Sequence, residues 1–358
     1  MAVQWMLYGA YGYTGRLIAE LAATRMSNPV LAGRNKKEVE RVAREVGMEF
    51  RVFDLQKPET IREALHDIAV VAHVAGPFVH TSKPMVDACL QTGTNYLDIT
   101  GEHPVFEAIF ARHDEAVQAG VSLIPGVGFD VAPTDCLAAM LKNELPNADK
   151  LELALGGFGS KSTRLSRGTI KTMLESLGQG SLARINGKLQ TVPYTWRTPK
   201  IQFAHGSYKT VTIPWGDVVT AYRTTGIPNI AVYFAAHPTI YRLLNLYRHA
   251  FRFKPVTRAA QRLVQWTVTG PGEEVRDNSY SSLWGRVQNP SGEKVTLTIT
   301  APEAYKLTAD SVLKAVQRVL AGNVEPGAWT PAQAFGMDFI RELDDVHVHP
   351  FNETIEEI

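Results

Sequence analysis

The chain of 358 residues has only two cysteines, Cys89 and Cys136, and neither stands in a CxxC spacing. Neither a disulfide framework nor a cysteine-rich metal site can be written from them. No run approaches the roughly 18 apolar residues of a membrane-spanning helix, and no basic stretch followed by an apolar one opens the sequence. An excess of one charge is missing as well, since 37 basic residues face 36 acidic ones for a formal charge of +1. Such a balance gives no field to steer nucleic acid, which is a poor candidate partner. Internal repeats and low-complexity tracts are absent. These absences leave the expectation of a reduced, cytoplasmic chain without a metal site. With 45% hydrophobic and 20% charged residues, the composition is that of a globular protein. The length exceeds one typical core, so two domains are expected.

What is present begins with a short apolar run, residues 3–8, that ends in Gly9, Gly12 and Gly15, with Tyr11, Tyr13 and Thr14 between them. Leu17, Ile18, Leu21 and Ala22 follow at helical spacing. Strand, glycine turn and helix start in this order bring bare backbone N–H groups and the positive end of a helix dipole to a diphosphate, where a Cβ would obstruct. The spacing is GxxGxxG, with Ala10 standing where the commoner GxGxxG has its first glycine. A second strand, residues 28–32, runs into Gly33, Arg34, Asn35, Lys36 and Lys37. An NAD site places a carboxylate on the ribose here. A guanidinium instead suits a 2′-phosphate, so the expected cofactor is NADP(H). The plainer reading is that these cations only solvate the start of the next helix, where positive charge is slightly unfavourable.

Strands and helices then alternate: a helix at 38–46, a strand at 49–53 ending at Asp54, a helix at 61–65 and an apolar strand at 68–74. Asp54 is a candidate partner for the adenine amino group. The turn Ala75-Gly76-Pro77-Phe78 is expected along the cofactor toward the nicotinamide. Further elements are a helix at 83–92, a strand ending in Asp98-Ile99-Thr100-Gly101-Glu102, a helix at 104–119, a strand at 121–124 and a helix at 133–145. The fold class is therefore α/β, a doubly wound parallel Rossmann sheet. The loops after its fourth, fifth and sixth strands face one crevice. Among them, His80, Tyr96, Glu102 and Asp130 are the candidate proton carriers. Glu102 is the first choice by its place at a strand end, although a capping acid would stand there equally well. His80 has the residue type for acid/base work. Asp130 either caps the helix that follows or approaches a ligand beside Gly126 and Gly128. Cys136 lies in an apolar helical run and reads as a buried thiol.

The second half is less legible. Strands are expected at 151–155, 208–213, 218–222 and 230–234, with a flexible connection at 156–160 and helical spacing at 169–182. A long helical pattern covers 240–268, a hairpin follows at 279–299, and a helix at 309–320 precedes the rigid turn at 326–331. Residues 241–254 mix aromatics, leucines and bases. They suit a pocket lining, a membrane surface or an acyl-carrier contact, and equally an ordinary helix with one basic face.

The set GAYGYTG, LAGRN, VAGPF, NYLDITGE and PGVGFDVAPTD, in this order, resembles the saccharopine dehydrogenase-like oxidoreductases, in particular the branch that includes trans-acting enoyl reductases. The likeness continues more loosely through SRGT (166–169), PWGDVVTAY (214–222) and GAWTPAQAFG (327–336). Residues 79–83 depart from it, lacking the glycine usual after the GPF-like turn. The resemblance implies a Rossmann domain at 1–145, an inserted α+β domain for substrate and dimerisation at 146–325, and a segment at 326–358 returning to the first domain. It also implies an NADPH-dependent homodimer reducing a C=C or C=N bond of a small, acyl or lipid-like substrate. An amino-acid imine would require arginines for its carboxylates, for which Arg164, Arg167 and Arg223 are candidates. The alternative of another class is a cofactor-binding adaptor or lipid-surface protein without turnover.

Overall fold

A computed structural model describes residues 4–159, 180–204, 206–236 and 270–350, together with 166, 168–170, 174, 242 and 256. Its first half is built on β1 (Gln4–Tyr8), β2 (Val30–Gly33), β3 (Phe50–Val52), β4 (Ile68–His73), β5 (Asn95–Asp98) and β6 (Ser122–Ile124). The helices are α1 (Tyr13–Thr24), α2 (Lys36–Val46), α3 (Pro58–Leu65), α4 (Phe78–Thr92), α5 (His103–Phe110), α6 (His113–Ala119) and α7 (Ala132–Glu144). All pairings in this sheet are parallel, and the order is β3-β2-β1-β4-β5-β6, extended beyond β6 by β15 (Gly327–Ala328). The chain reverses direction across the sheet between β1 and β4, which opens a crevice beyond the carboxyl ends of those strands. β4 is apolar along nearly its whole length because helices cover both faces of the sheet.

Local signals explain where these elements start and stop. The Asn35 side chain accepts from the Glu38 N–H at the start of α2, Val39, Val42 and Ala43 form its buried stripe, and Gly47 ends it in the left-handed region. The expected helix at 104–119 is two helices, α5 and α6, broken at Ala111 and Arg112. α4 begins at Phe78, earlier than expected, and carries Pro84 in its interior.

The second sheet is mixed. Its order is β10 (Lys200–Phe203), β11 (Gly206–Thr212), β12 (Asn229–Ala235), β7 (Lys150–Gly159), β13 (Ser279–Gln288), β14 (Lys294–Pro302) and β16 (His347–Pro350). A hairpin of β8 (Ser181–Ile185) and β9 (Lys188–Val192) joins it on β12. β12 and β7 are parallel and the other pairs antiparallel. Here several expectations are corrected. The glycines at 156–159 continue β7 because β13 pairs with them along their length. Residues 218–222 are not a strand but lie in α8 (Asp217–Thr225), which Gly226 terminates in the left-handed region. Its valines suggested β structure, yet tertiary packing buries Val218, Val219 and Ala221 on one helical face. The C-terminal part of the helix expected at 169–182 is instead β8, while the long pattern at 240–268 lies almost wholly outside the described residues.

α10 (Ala304–Leu320), which follows the short α9 (Glu273–Asp277), begins five residues before its expected start. The Glu303 carboxylate caps it by accepting from the Tyr305 and Lys306 N–H groups. Arg25 of α1 and Asp310 of α10 pair at 2.5 Å. After β15 joins the parallel sheet, α11 (Pro331–Phe335) and a 3-10 turn lead to β16, which joins the mixed one. Asp135, buried in α7, accepts from Thr224 Oγ1 at 2.7 Å and from the Ala332 N–H at 2.8 Å, so one carboxylate ties α7, α8 and α11 together. One continuous apolar core runs through both sheets. Among the described residues, no helix is long and apolar enough to cross a membrane.

Candidate active site

The crevice begins at the glycine turn. Gly9 has φ +95° and lies against the turn after β4, where an added Cβ would sit 3.0 Å from Ala75. A Cβ at Gly15 would collide with the Gly9 carbonyl and stand 2.9 Å from the Ala10 Cα. The turn therefore tolerates no side chain at either place. α1 starts after Gly12 without a side-chain cap and without an acidic residue in its first turn. The N–H groups at Tyr13, Thr14 and Gly15 thus face outward at the positive end of the helix with no competing anion. This cradle fits a diphosphate.

Other predicted cofactor residues sort by what their side chains already touch. Arg34, just after β2, and Lys36 and Lys37, the first residues of α2, are exposed. Tyr11 lies over Gly33, its ring 2.6 Å from where a Cβ would stand. Asn35 is spent on capping α2. Asp54 closes a turn by accepting from the Gln56 N–H at 3.0 Å. Tyr13 turns away from the glycine turn, and its hydroxyl donates to the Pro271 carbonyl at 2.6 Å.

The turn Ala75–Phe78 is held from beneath. Gly76-Pro77 is a cis peptide. The Thr81 hydroxyl donates to the Ala75 carbonyl at 2.7 Å, and its oxygen lies 3.0 Å from His73 Nε2. With that hydroxyl proton committed, His73 is the donor through Nε2–H. His73 is fully buried among Tyr8, Phe78 and Tyr96, and desolvation pushes it down to about 3. This neutral histidine escaped the sequence reading, because a histidine closing an apolar strand looks like core.

Glu102 stands at the position before α5, yet its side chain does not cap that helix. Its two carboxylate oxygens accept from the Phe78 and Val79 N–H groups, each at 2.8 Å, at the start of α4. A carboxylate is well placed there because the helix dipole and two orphan donors point at it. Glu102 thereby fixes the β5 loop to the β4 turn. His80 is exposed in the first turn of α4. Glu102→Ala is expected to cost about 1 kcal/mol of stability, the usual value of a lost cap, read as a lower midpoint in urea with unchanged slope.

Asp98 organises the neighbouring loop. Its Oδ1 accepts from the Thr100 and Gly126 N–H groups at 2.9 and 2.8 Å, and its Oδ2 from the Tyr96 hydroxyl at 2.8 Å. Burial pushes Asp98 up to about 7 against those donors. Asp130 lies across from Gly101, where a Cβ would come 3.1 Å from its Oδ2. Burial, with the Glu102 charge adding to it, pushes Asp130 up to about 7. The loop carrying Asp130 is pinned by Trp215 Nε1, which donates to the Asp130 carbonyl at 2.6 Å, and by the Phe129 N–H, which donates to Thr308 Oγ1 of α10 at 3.1 Å. Two carboxyl groups of the crevice therefore differ: Glu102 is held by helix donors, whereas Asp130 retains a proton near neutrality. Sequence spacing found α10 but not its first turn, since Tyr305 and Thr308 precede its expected start.

Asp217 opens α8 beside this site and is fully buried. Burial pushes it up to about 8 from an ordinary 3.8. The folded chain thus holds this proton over a pH range in which the unfolded chain releases it. The stability it contributes is complete below about pH 4 and lost as pH rises through 8. Asp217→Asn is expected to raise Tm at pH 8 by about 2–4 °C, the shift about 1 kcal/mol makes in a chain of this size. At pH 4 the same substitution should leave Tm unchanged in differential scanning calorimetry.

Arg223, considered for a substrate carboxylate, is committed elsewhere: Nη2 donates to the Ala328 carbonyl at 3.0 Å, and the guanidinium lies over Phe110. Arg164 and Arg167 fall outside the described residues. Cys89 and Cys136 are buried free thiols, both raised by desolvation.

Residues 5–124 match the family described as the saccharopine dehydrogenase NADP binding domain. A trans-acting enoyl reductase of Mycobacterium leprae is 29% identical over 208 residues, covering 54% of this chain and 49% of that protein. At this level the chain spans about half the length of the curated relative it matches. A human saccharopine dehydrogenase-like oxidoreductase is 22% identical over 398 aligned positions, covering 92% of each chain. The solved saccharopine dehydrogenase (L-Glu forming) of Saccharomyces cerevisiae shares the fold, with a TM-score of 0.69 at 14% identity, over 98% of this chain and 100% of that one.

Proposed function

We propose, from the premise that residues 5–124 belong to the saccharopine dehydrogenase NADP binding domain family, that the whole chain is an NADPH-dependent oxidoreductase reducing a C=C or C=N bond of a small or lipid-like substrate. The observation that carries this reading is the geometry of the crevice: an uncapped helix start behind Gly9 and Gly15, where no Cβ fits, with the Asp130 carboxyl, pushed up to about 7 by burial, across from Gly101 in the same crevice. When bound, the cofactor supplies a hydride, which leaves the protein to orient the acceptor and deliver one proton.

In this reading the N–H groups at residues 13–15 hold the diphosphate, and Arg34 with Lys36 and Lys37 holds the 2′-phosphate. The Ala75–Phe78 turn, braced by Thr81 and Glu102, lies along the nicotinamide half. Asp130 delivers the proton, with Glu102 keeping the loops in register and His80 at the rim of the crevice. The domain division 1–145, 146–325 and 326–358 is part of the same proposal, as are homodimeric assembly and a cytoplasmic location. Two buried, unpaired thiols suit a reducing compartment.

The test is a panel of enoyl thioesters, enones and keto-acid/amine mixtures, followed by NADPH absorbance. Consumption with one class names the bond reduced. NADPH binding without consumption across the panel would favour the adaptor reading instead.

A further inference from the structure

Tyr13 belongs to the glycine turn by sequence, but three separated segments of the chain meet through its side chain. Its hydroxyl donates to the Pro271 carbonyl at 2.6 Å and accepts from Arg276 Nη1 at 3.0 Å, so both of its hydrogen-bonding roles are used by the segment preceding β13. Arg276 Nη1 also donates to the Pro271 carbonyl at 3.1 Å. The contact is tight, since Gly270 has φ +87° and a Cβ there would lie 2.8 Å from the Tyr13 ring. The other face of the contact is Tyr305 of α10, edge-on to Tyr13 with ring centroids 4.8 Å apart.

Tyr305 carries the connection further. Its hydroxyl accepts from the Ser166 N–H at 2.7 Å and lies 2.9 Å from Thr169 Oγ1. Ser166 in turn caps the helical turn at 168–170, its Oγ accepting from the Thr169 N–H at 3.2 Å. The first turn of α1, where the diphosphate is expected, is thereby joined to the 166–170 turn through two aromatic rings and two hydroxyls. Thr308, one helical turn after Tyr305, accepts from the Phe129 N–H at 3.1 Å, so α10 connects the linked turn to the loop that carries Asp130.

We infer that Tyr305 is a positioning residue which, through its contact with Tyr13, couples cofactor occupancy of the glycine turn to the placement of the Ser166–Thr169 turn beside the substrate crevice. The inference rests on NADP(H) binding at that turn. Its physical basis is that α1 cannot shift or stiffen on binding a diphosphate without moving the Tyr13 ring, which is wedged between Gly270 and Tyr305. Coupling of this kind is reciprocal. Ordering the Ser166–Thr169 turn also favours the cofactor.

The test follows deuterium exchange of the Ser166 amide at single-residue resolution in the full chain, with and without saturating NADPH, alongside the NADPH Kd from fluorescence. In the wild type, NADPH should slow that amide by about fivefold or more, the lower end of common coupling energies. Tyr305→Phe removes the acceptor, so the amide should exchange rapidly and equally in both states, with NADPH still bound. Tyr13→Leu keeps the Tyr305 bond to Ser166 but removes the ring that abuts Tyr305, along with the hydroxyl bonded to Pro271 and Arg276. Its Ser166 amide should stay protected yet lose the response to NADPH, which separates lost coupling from lost folding. If NADPH binds the wild type without slowing the amide, or if Tyr13→Leu keeps the full response, the coupling is overturned while the cofactor assignment stands. If NADPH does not bind, both fall.

Discussion

Replacing Arg34 by alanine is expected to weaken NADPH binding about 30-fold while leaving NADH binding within about twofold, because in the proposed function the guanidinium addresses only the 2′-phosphate. The figure follows from roughly 2 kcal/mol for hydrogen bonds to a charged group, at 1.4 kcal/mol per factor of ten. Arg34 is exposed at the end of β2 and makes no hydrogen bond or ion pair within the described chain. Its removal should therefore leave the fold intact, and an unchanged Tm is the control. Lys36 and Lys37 are point charges at the same place, so losing either one should cost less than losing Arg34. Titration of both nucleotides by fluorescence decides the matter. Equal losses for NADPH and NADH would place Arg34 elsewhere on the cofactor, and the preference for the phosphorylated form would need another source.

Asp130→Asn is expected to lower turnover a hundredfold or more, within the usual range of about 10² to 10⁴ for a positioned proton donor, with NADPH affinity retained. The pH profile carries the sharper signature. Burial and the Glu102 charge raise Asp130 to about 7, so its acid form predominates below that pH. Reduction should run at a plateau in mildly acidic solution and fall about tenfold per pH unit above 7, since only the protonated carboxyl donates. The asparagine variant should lose that limb of the profile. A mutant that is slow yet keeps the wild-type break near 7 would move the proton donor to another group. Glu102→Gln separates the two carboxyls: it perturbs the bonds to Phe78 and Val79, so it should affect stability, and by removing the charge that helps raise Asp130 it should move the break to lower pH without abolishing it.

Both expectations depend on features with different visibility in the sequence. The glycine turn was legible because Gly9 and Gly15 answer to local geometry, a left-handed φ at one and a forbidden Cβ at the other. Arg34 was legible for a related reason, since the residue ending β2 stands a fixed distance along the chain from that turn. Glu102 was legible as a residue of the crevice and illegible in its partner. Its place before α5 suggested a cap for that helix, whereas the carboxylate reaches back 24 residues to Phe78 at the start of α4. Tyr13 shows the same limit. It stands within the glycine turn by sequence, yet its hydroxyl is bonded to Pro271, 258 residues away.

In the second half, periodicity misread α8 as a strand because Val218 and Val219 favour extended structure locally, and it placed the start of α10 after Tyr305 and Thr308. The first error arises where tertiary packing overrides local preference, the second where the Glu303 cap sets the helix start ahead of the apolar periodicity. The sequence alone determined the parallel α/β class, the glycine turn between β1 and α1 and the exposed cations that follow β2. Each of these follows from short-range backbone geometry and alternating burial. Only the tertiary structure decided which carboxyl caps a helix and which keeps a proton, because hydrogen-bond partners and burial come from segments that the chain brings together on folding.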